Sequence, residues 1–317
     1  MHLRSVTRVI ALLCIAPTLI IGGLCIAALL TPLPSLTELQ QTVDSTRIVT
    51  LNNQRIAMHD QGLGTPIVLI HGFASSSYSW RMVATDLARD HRVLTLDLYG
   101  FGLSDRPAAL GYYTPEAQAR LVIELMDNRG IHKAYIAGHS YGAHIVEEMV
   151  RIAPERILGV SFVSGGLLPA HATTDSERMH SALNTALYPL ARGIIEYEFL
   201  WHALFATAFG KENPPSHAVS EMYRARLRTE GFFVAYKGFA QSAHMLLPTT
   251  HSLGGVRMLR PCVLWGTEDG ILDVSLAHTL SRQTGGALYL FDNAGHMLME
   301  ERPSELASAL RNCMRSP

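Results

Sequence analysis

Short apolar runs alternate with longer amphipathic stretches over most of this chain, and eight of the runs have the length and composition of buried strands. The alternation of strands and helices is typical of βαβ units, so it predicts an α/β fold with a mostly parallel central sheet flanked by helices. The first two strands are expected to form an antiparallel hairpin around Asn52 and Asn53. The predicted strands are Arg47–Leu51, Gln54–Asp60, Ile67–Ile70, Val93–Asp97, Ala134–Ala137, Val160–Ser164, Val263–Trp265 and Leu288–Phe291.

The N-terminal segment has a different pattern, because no charged residue occurs from Val9 to Leu30. As a helix, this run would be about 33 Å long, and a bilayer core is about 30 Å thick. We therefore predict a membrane anchor over residues 1–30 and a linker over residues 31–46. Arg4 and Arg8 precede the run, so the positive-inside rule puts the remaining chain on the extracytoplasmic side. A cleaved signal peptide, which would yield a secreted protein, is the alternative.

A five-residue motif follows the fifth predicted strand and precedes a helical pattern. It reads Gly138-His139-Ser140-Tyr141-Gly142, the G-x-S-x-G sequence of a nucleophile elbow in its strand–turn–helix setting. The turn brings neighbouring backbone close, so a Cβ at either flanking glycine would clash. Ser140 is therefore the candidate nucleophile, and the helix that follows directs its free N–H groups toward a developing oxyanion.

A serine needs a general base to become a nucleophile. Asp269 and His296 each follow one of the last two predicted strands, where sites on open α/β sheets gather. We assign His296 as the base and Asp269 as the carboxylate that orients it. Glu268 and Asp273 are the rival acids, and the G-x-x-D spacing after the strand favours Asp269.

An oxyanion hole requires two converging donors. The backbone N–H of Tyr141, directly after the nucleophile, is the first candidate. The second is expected from the loop after the third strand, which reads His71-Gly72-Phe73, and we assign it to the Phe73 N–H. Gly72 allows the backbone to approach the substrate closely, and His71 is expected to brace the loop rather than react.

Together these motifs resemble the α/β-hydrolase superfamily from about residue 48 to about residue 312, and they match its serine-nucleophile esterase and lipase branch. The haloalkane dehalogenase and epoxide hydrolase branches also resemble this chain, but they need a carboxylate at the elbow, where this chain has Ser140. The motifs that carry the resemblance are His71-Gly72-Phe73, Asp97-x-x-Gly-x-Gly, Gly138-x-Ser140-x-Gly142, Gly266-x-x-Asp269 and Gly295-His296.

The resemblance implies a helical cap where the strand–helix alternation lapses, over residues 166–256, between core segments 47–165 and 257–317. This insert is rich in aromatic residues, which favours an apolar acyl group in the substrate. A single N-terminal span ahead of a capped serine hydrolase is also similar to membrane-anchored monoacylglycerol lipases. The expected activity is hydrolysis of a carboxylic ester, with an apolar or lipid-like acyl group, through an acyl-enzyme.

Several other activities remain open at this stage. A C–C bond hydrolase of the meta-cleavage type shares the same triad, and an amidase, thioesterase or acyltransferase is also compatible with it. From another class, a binding protein could keep the fold and turn over slowly. A complete set of catalytic residues argues against that last alternative.

The amino-acid composition limits which partners, metals and cofactors can be expected. The net charge is −1 and no run of basic residues occurs, so no nucleic-acid partner is expected. The four cysteines form no CxxC pair or close even set, and their spacing implies neither a disulfide framework nor a zinc site. The 15 histidines are scattered without an H-E-x-x-H motif, so we predict no metal and no cofactor.

Overall fold

A computed structural model describes residues 22–41, 47–166, 188–242 and 255–315 of the 317-residue chain. Its centre is an eight-stranded sheet in the order β1-β2-β4-β3-β5-β6-β7-β8. The strands are β1 (Arg47–Leu51), β2 (Gln54–Gln61), β3 (Pro66–Ile70), β4 (Arg92–Leu96), β5 (Ala134–His139), β6 (Ile157–Val163), β7 (Cys262–Gly266) and β8 (Ala287–Phe291).

Strand direction follows the prediction from the alternating pattern. β2 pairs antiparallel with β1 and with β4, while the pairings from β4 through β3, β5, β6 and β7 to β8 are all parallel. Asn52 and Asn53 both have positive φ at the β1–β2 turn, which is a backbone region that asparagine tolerates well. The mostly parallel sheet expected from the sequence is thus confirmed.

Helices cover both faces of the sheet because successive side chains of a buried strand point in opposite directions. Val68 and Ile70 face a core shared with the helices Pro115–Asn128 and Tyr141–Ile152, whereas Ile67 and Leu69 face a second core shared with the helices Arg81–Leu87 and Pro303–Arg315. The helices of the core are α3 (Arg81–Leu87), α4 (Pro115–Asn128), α5 (Tyr141–Ile152), α10 (Ser275–Thr284), α11 (Leu298–Glu301) and α12 (Pro303–Arg315), and a 3₁₀ helix, Ser77–Trp80, precedes α3.

The described part of the predicted cap is helical and lies between β6 and β7. Its aromatic side chains extend both cores, since Phe205 and Tyr223 join one of them and Phe239 packs against the other. The rest of the predicted cap, residues 167–187 and 243–254, lies outside the described residues. The cap helices are α6 (Tyr188–Glu196), α7 (Glu198–Ala206), α8 (His217–Leu227) and α9 (Phe232–Ser242).

The N-terminal segment lies against the cap and the core. Residues 22–30 are helical (α1), and the Tyr197 hydroxyl donates to the Leu24 carbonyl at 3.4 Å. Within the predicted linker, Leu36–Gln41 forms α2, and Gln40 Nε2 donates to the Leu103 carbonyl at 2.7 Å. Among the described residues, no helix is long and apolar enough to cross a bilayer; residues 1–21 of the predicted anchor lie outside them.

One disulfide corrects the prediction from cysteine spacing. Cys262, the first residue of β7, is bonded to Cys313 on α12, 51 residues later. Both residues are buried, and they meet because α12 packs across this edge of the sheet. A pairing between residues so distant in the chain depends on the tertiary fold, so the spacing could not reveal it. Cys25 is the free cysteine of the described chain.

Candidate active site

The turn between β5 and α5 holds Ser140 in a strained conformation. Its φ of 50° and ψ of −116° lie in a region that residues with a Cβ rarely adopt. The turn is held on both sides, since the Ser140 N–H donates to the Val163 carbonyl at 2.9 Å and its carbonyl accepts from the Ala143 N–H at 3.0 Å. This is the geometry of a nucleophile elbow, and it leaves the serine side chain partly exposed.

Glycines surround the elbow because backbone segments pack directly on one another there. A Cβ on Gly138 would lie 2.3 Å from the Gly142 carbonyl oxygen, and one on Gly142 would lie 2.5 Å from the Ile70 carbonyl oxygen. A Cβ on Gly72 would lie 3.1 Å from the Ser140 Cβ. The predicted oxyanion loop therefore lies directly beside Ser140, and only glycine fits between them.

His296 and Asp269 form a buried pair at the ends of β8 and β7. The His296 Nδ1 lies 2.8 Å from the Asp269 Oδ2, the Asp269 side chain is fully buried, and the His296 side chain is 7% exposed. A carboxylate at this distance accepts the Nδ1–H, which leaves Nε2 unprotonated and able to take a proton. The second Asp269 oxygen accepts from the N–H groups of Ile271 and Leu272.

The two rival acids have other partners. Glu268 Oε2 accepts from the Lys211 N–H of the cap at 2.8 Å. Asp273 Oδ1 accepts from the Ser275 N–H at the start of α10. The structure therefore brings only Asp269, of the three acids considered, within hydrogen-bond distance of His296.

Two further histidines brace the site. His71 Nδ1 lies 2.7 Å from the Gly72 carbonyl and its Nε2 accepts from the Leu98 N–H, so the ring connects the oxyanion loop to the loop after β4. His139 Nε2 donates to the His296 carbonyl at 3.0 Å. Burial lowers the pKa of both rings, which favours the neutral forms that these bonds require. His139, which directly precedes Ser140, is thus bound to the backbone of His296.

The two predicted oxyanion residues share one neighbour from the cap. The Phe239 ring on α9 stacks on Phe73 with ring centroids 4.1 Å apart, and it meets the Tyr141 ring edge-on at 5.0 Å. Phe101 packs against the other side of Phe73 at 5.6 Å. An apolar wall of aromatic rings therefore adjoins the two predicted oxyanion residues.

Sequence reasoning overlooked Glu301, a residue that holds the His296 turn. Its carboxylate accepts from the N–H groups of Gly295 and Met297, on either side of His296, and from the N–H of Gly210 in the cap. A glutamate five residues after the histidine resembles an ordinary acidic residue near a helix start, so the sequence carried no clear signal. Among the described residues, no group of three or more metal-ligating side chains is close enough to hold an ion.

Several known proteins are similar to this chain. It is 27% identical to haloalkane dehalogenase 2 of Mycobacterium tuberculosis over 81% of this chain and 90% of that one. Epoxide hydrolase A of the same species is 25% identical, over 83% of this chain and 95% of its own length. The crystal structure of a membrane phospholipase A, a bacterial virulence factor, shares the fold with a TM-score of 0.72 at 22% identity, and 99% of each chain is covered.

The sequence profile of the alpha/beta hydrolase family matches residues 67–309 of this chain. That range contains the elbow, the oxyanion loop and both residues of the buried pair, together with the cap. It also begins and ends within the eight-stranded core that the structure describes. The chain therefore belongs to the alpha/beta hydrolase family and is a hydrolase.

Proposed function

We propose that this hydrolase cleaves carboxylic esters that carry an apolar acyl group, through a Ser140–His296–Asp269 triad. The observation that carries the proposal is the 2.8 Å contact between His296 Nδ1 and the buried Asp269 carboxylate, together with the bond from His139, the residue before the strained Ser140, to the His296 carbonyl. A serine at this position suits acyl transfer. The dehalogenase and epoxide hydrolase branches, which the chain also resembles, need a carboxylate there.

The reaction takes two steps with one base. The Ser140 Oγ attacks the ester carbonyl carbon while His296 Nε2 takes the hydroxyl proton, and the N–H groups of Tyr141 and Phe73 stabilise the oxyanion. His296 then gives the proton to the leaving alcohol, which departs as the acyl-enzyme forms. Water, deprotonated by His296, attacks the acyl carbon, and the acid leaves as Ser140 regains its proton. Asp269 stabilises the imidazolium in both steps.

The cap supports an apolar acyl group. Phe239 contacts both predicted oxyanion residues, so the chain that extends from the reacting carbonyl would lie against aromatic surface. A C–C bond hydrolase would instead need free cations for a dienol carboxylate. Three arginines of the cap are instead paired within it, Arg192 and Arg228 with Glu196 and Arg224 with Glu221. These pairings favour an ester over the C–C bond.

The proposed location is a membrane, with a single N-terminal span and the catalytic domain on the extracytoplasmic side. The uncharged run from Val9 to Leu30 supports the anchor. The disulfide between Cys262 and Cys313 suits an oxidising compartment, which lies on that side. The fold shared with a membrane phospholipase A over 99% of both chains agrees with this proposal. Mass spectrometry of the protein purified from membranes tests it, because cleavage by signal peptidase would remove the anchor from the observed mass.

A fluorophosphonate probe tests the nucleophile. Detergent-solubilised full-length protein is expected to be labelled and to hydrolyse p-nitrophenyl esters from acetate to palmitate with a maximum at one chain length. Ser140→Ala should abolish both signals, whereas Ser308→Ala, which changes a serine on α12, should keep both. Labelling without ester turnover would contradict the proposed substrate class. Equal labelling of Ser140→Ala would show that another residue is the nucleophile.

A further inference from the structure

A cleft of about 390 Å³ lies on the flank of the molecule, where the cap meets strands β2 and β4 of the sheet. We call it the flank cleft. Its floor is formed by His59 on β2 and Thr95 on β4, which are cross-strand partners. Ser77 and α3 form one wall, and Arg226 of the cap helix α8 forms the other. None of these residues belongs to the proposed triad or oxyanion hole.

Arg226 is a buried cation without an ion-pair partner. The residue is 7% exposed, and among the described residues no carboxylate oxygen lies within 4.0 Å of its guanidinium nitrogens. Its Nη1 donates to the Met222 carbonyl at 2.6 Å, and its guanidinium lies 4.7 Å from the centroid of the Tyr78 ring. Burial lowers the pKa of Arg226, as expected for a charge whose lost hydration is poorly replaced.

Neighbouring arginines do have acidic partners. On the same helix, Arg224 pairs with Glu221 at 2.6 Å. Arg81, which stacks on Tyr78 in the cleft wall, pairs with Glu300 at 2.8 Å. Arg226 therefore differs from Arg224 and Arg81 in having no acidic partner among the described residues, a feature that it shares with Arg106, which donates to the Arg226 carbonyl.

The other polar groups of the cleft are mostly free to bind a ligand. Neither the hydroxyls of Ser77 and Thr95 nor the imidazole of His59 hydrogen-bonds to any other described residue. Asp97 is the carboxylate in the lining, but its two oxygens accept from the N–H groups of Ser77 and Leu103 at 2.6 and 2.7 Å. What remains open to a ligand is a set of hydrogen-bonding groups near Arg226, which is the unpaired cation of the described lining, whereas Arg81 is paired with Glu300.

The lining also includes the apolar side chains of Ala84, Leu103 and Met222. We propose that the flank cleft binds the anionic head group, a carboxylate or a phosphate, of a small amphiphilic ligand, with Arg226 as its counter-ion. A charge-assisted bond to the guanidinium would replace the hydration that Arg226 loses, and the hydroxyls of Ser77 and Thr95 would complete the anion's shell. The apolar side chains would contact a short alkyl chain.

Calorimetric titration of full-length Ser140→Ala protein in non-ionic detergent tests this site without interference from turnover. The probes are hexanoate, hexyl phosphate, inorganic phosphate and hexanol. At least one anion should bind once per chain, at least tenfold more tightly than hexanol, and more weakly as sodium chloride rises from 50 to 500 mM. Preference for hexanoate or hexyl phosphate identifies the head group, and binding of inorganic phosphate alone would show that the alkyl chain adds nothing.

Arg226→Gln should lower the affinity at least tenfold, Arg226→Lys should lower it less, and Arg224→Gln, with the same change of net charge, should leave it unchanged. If Arg226→Gln does not fold, Thr95→Val takes its place and should weaken binding several-fold. The proposal is overturned if hexanol binds as tightly as the anions, if no anion binds, or if Arg224→Gln weakens binding as much as Arg226→Gln. Ester turnover of the wild type is measured separately, so failure here leaves the triad proposal unaffected.

Discussion

The carboxylate of Glu301 holds both sides of the turn that carries His296. It accepts from the Gly295 N–H at 2.9 and 3.0 Å and from the Met297 N–H at 3.2 Å. Its Oε2 also accepts from the Gly210 N–H at 2.8 Å, so one half-buried side chain connects the turn of His296 to the cap. Burial raises the pKa of Glu301, although the three N–H donors act in the opposite direction.

Glu301→Gln should lower kcat/KM for a p-nitrophenyl ester by about 100-fold, because a displacement of the base by about 1 Å is enough for such a loss. A glutamine places an NH2 group where the backbone offers only donors. Glu300→Gln is the matched control, since Glu300 bonds Arg81 and Tyr223 instead. It should lower thermal stability and leave the pH profile of kcat/KM unchanged. Equal kinetic losses in both variants would contradict a positioning role for Glu301.

Asp269→Asn should reduce kcat by about 10⁴-fold, because the amide cannot hold the His296 tautomer that accepts a proton at Nε2. Fluorophosphonate labelling should slow in parallel. Glu268→Gln changes the adjacent acid, which bonds the Lys211 N–H, and should remain nearly as active as the wild type. Full activity of Asp269→Asn together with loss of activity in Glu268→Gln would show that Glu268 is the triad acid.

Phe239→Ala removes the ring that stacks on Phe73 at 4.1 Å. For an octanoyl ester, we expect KM to rise about tenfold, a typical cost for lost apolar contact in a pocket. The acetyl ester should change little, because its acyl group is too short to reach the ring. Phe233→Ala on the same helix is the control, since Phe233 is 40% exposed and contacts Tyr188. An unchanged chain-length profile in Phe239→Ala would place the acyl group elsewhere.

Removing the disulfide by the double substitution Cys262→Ala and Cys313→Ala should lower the free energy of unfolding by about 2–5 kcal/mol. The bond closes a segment of 51 residues and fixes α12 to β7, so unfolding by urea should occur at lower concentration. A reductant should lower the midpoint of the wild type and leave that of the double variant unchanged. Reductant-insensitive unfolding of the wild type would mean that the bond does not form.

Asp60 makes part of the stability dependent on pH. Hydrogen bonds from Arg92, at 2.8 and 3.0 Å, and from Arg129 lower its pKa below the ordinary value of 3.8. Because the pKa of Asp60 is lower in the folded state, its ion pairs contribute fully to the free energy of unfolding above pH 3.8. This contribution is lost as the pH falls through the lower pKa of the folded state. Asp60→Asn should therefore be less stable than the wild type at pH 7.

Urea unfolding from pH 7 to pH 2 measures this difference, which should shrink only below the ordinary carboxyl pKa. Asp127→Asn is the control, because its side chain is 60% exposed and its pair with Arg156 is expected to contribute little. A stability difference for Asp60→Asn that stays constant down to pH 2 would contradict the assigned role of the carboxylate.

The local sequence pattern was sufficient to predict the strands and most residues of the proposed site. All eight predicted strands occur, with ends that differ by at most three residues. The six parallel strands could be recognised because buried parallel strands are short apolar runs bounded by turn residues. The elbow could be recognised because a strained serine between two close backbone segments requires glycine on both sides. His296 and Asp269 were found for a similar reason, since parallel strands bring their carboxyl ends to one edge.

Contacts between distant segments needed the tertiary structure. The disulfide joins residues 262 and 313, Phe239 of the cap stacks on Phe73, and Glu301 accepts a hydrogen bond from Gly210. The spacing of these residues in the sequence does not predict any of the three contacts. The environment of Arg226 also needed the tertiary structure. The sequence does not show that neighbouring arginines such as Arg224 pair with acids, whereas Arg226 faces an open cleft. The sequence by itself determined which residues form the strands, the elbow and the candidate triad, since those depend on local backbone geometry. Only the packing of cap against core decided what surrounds them, because burial and pairing are set by residues far away in the chain.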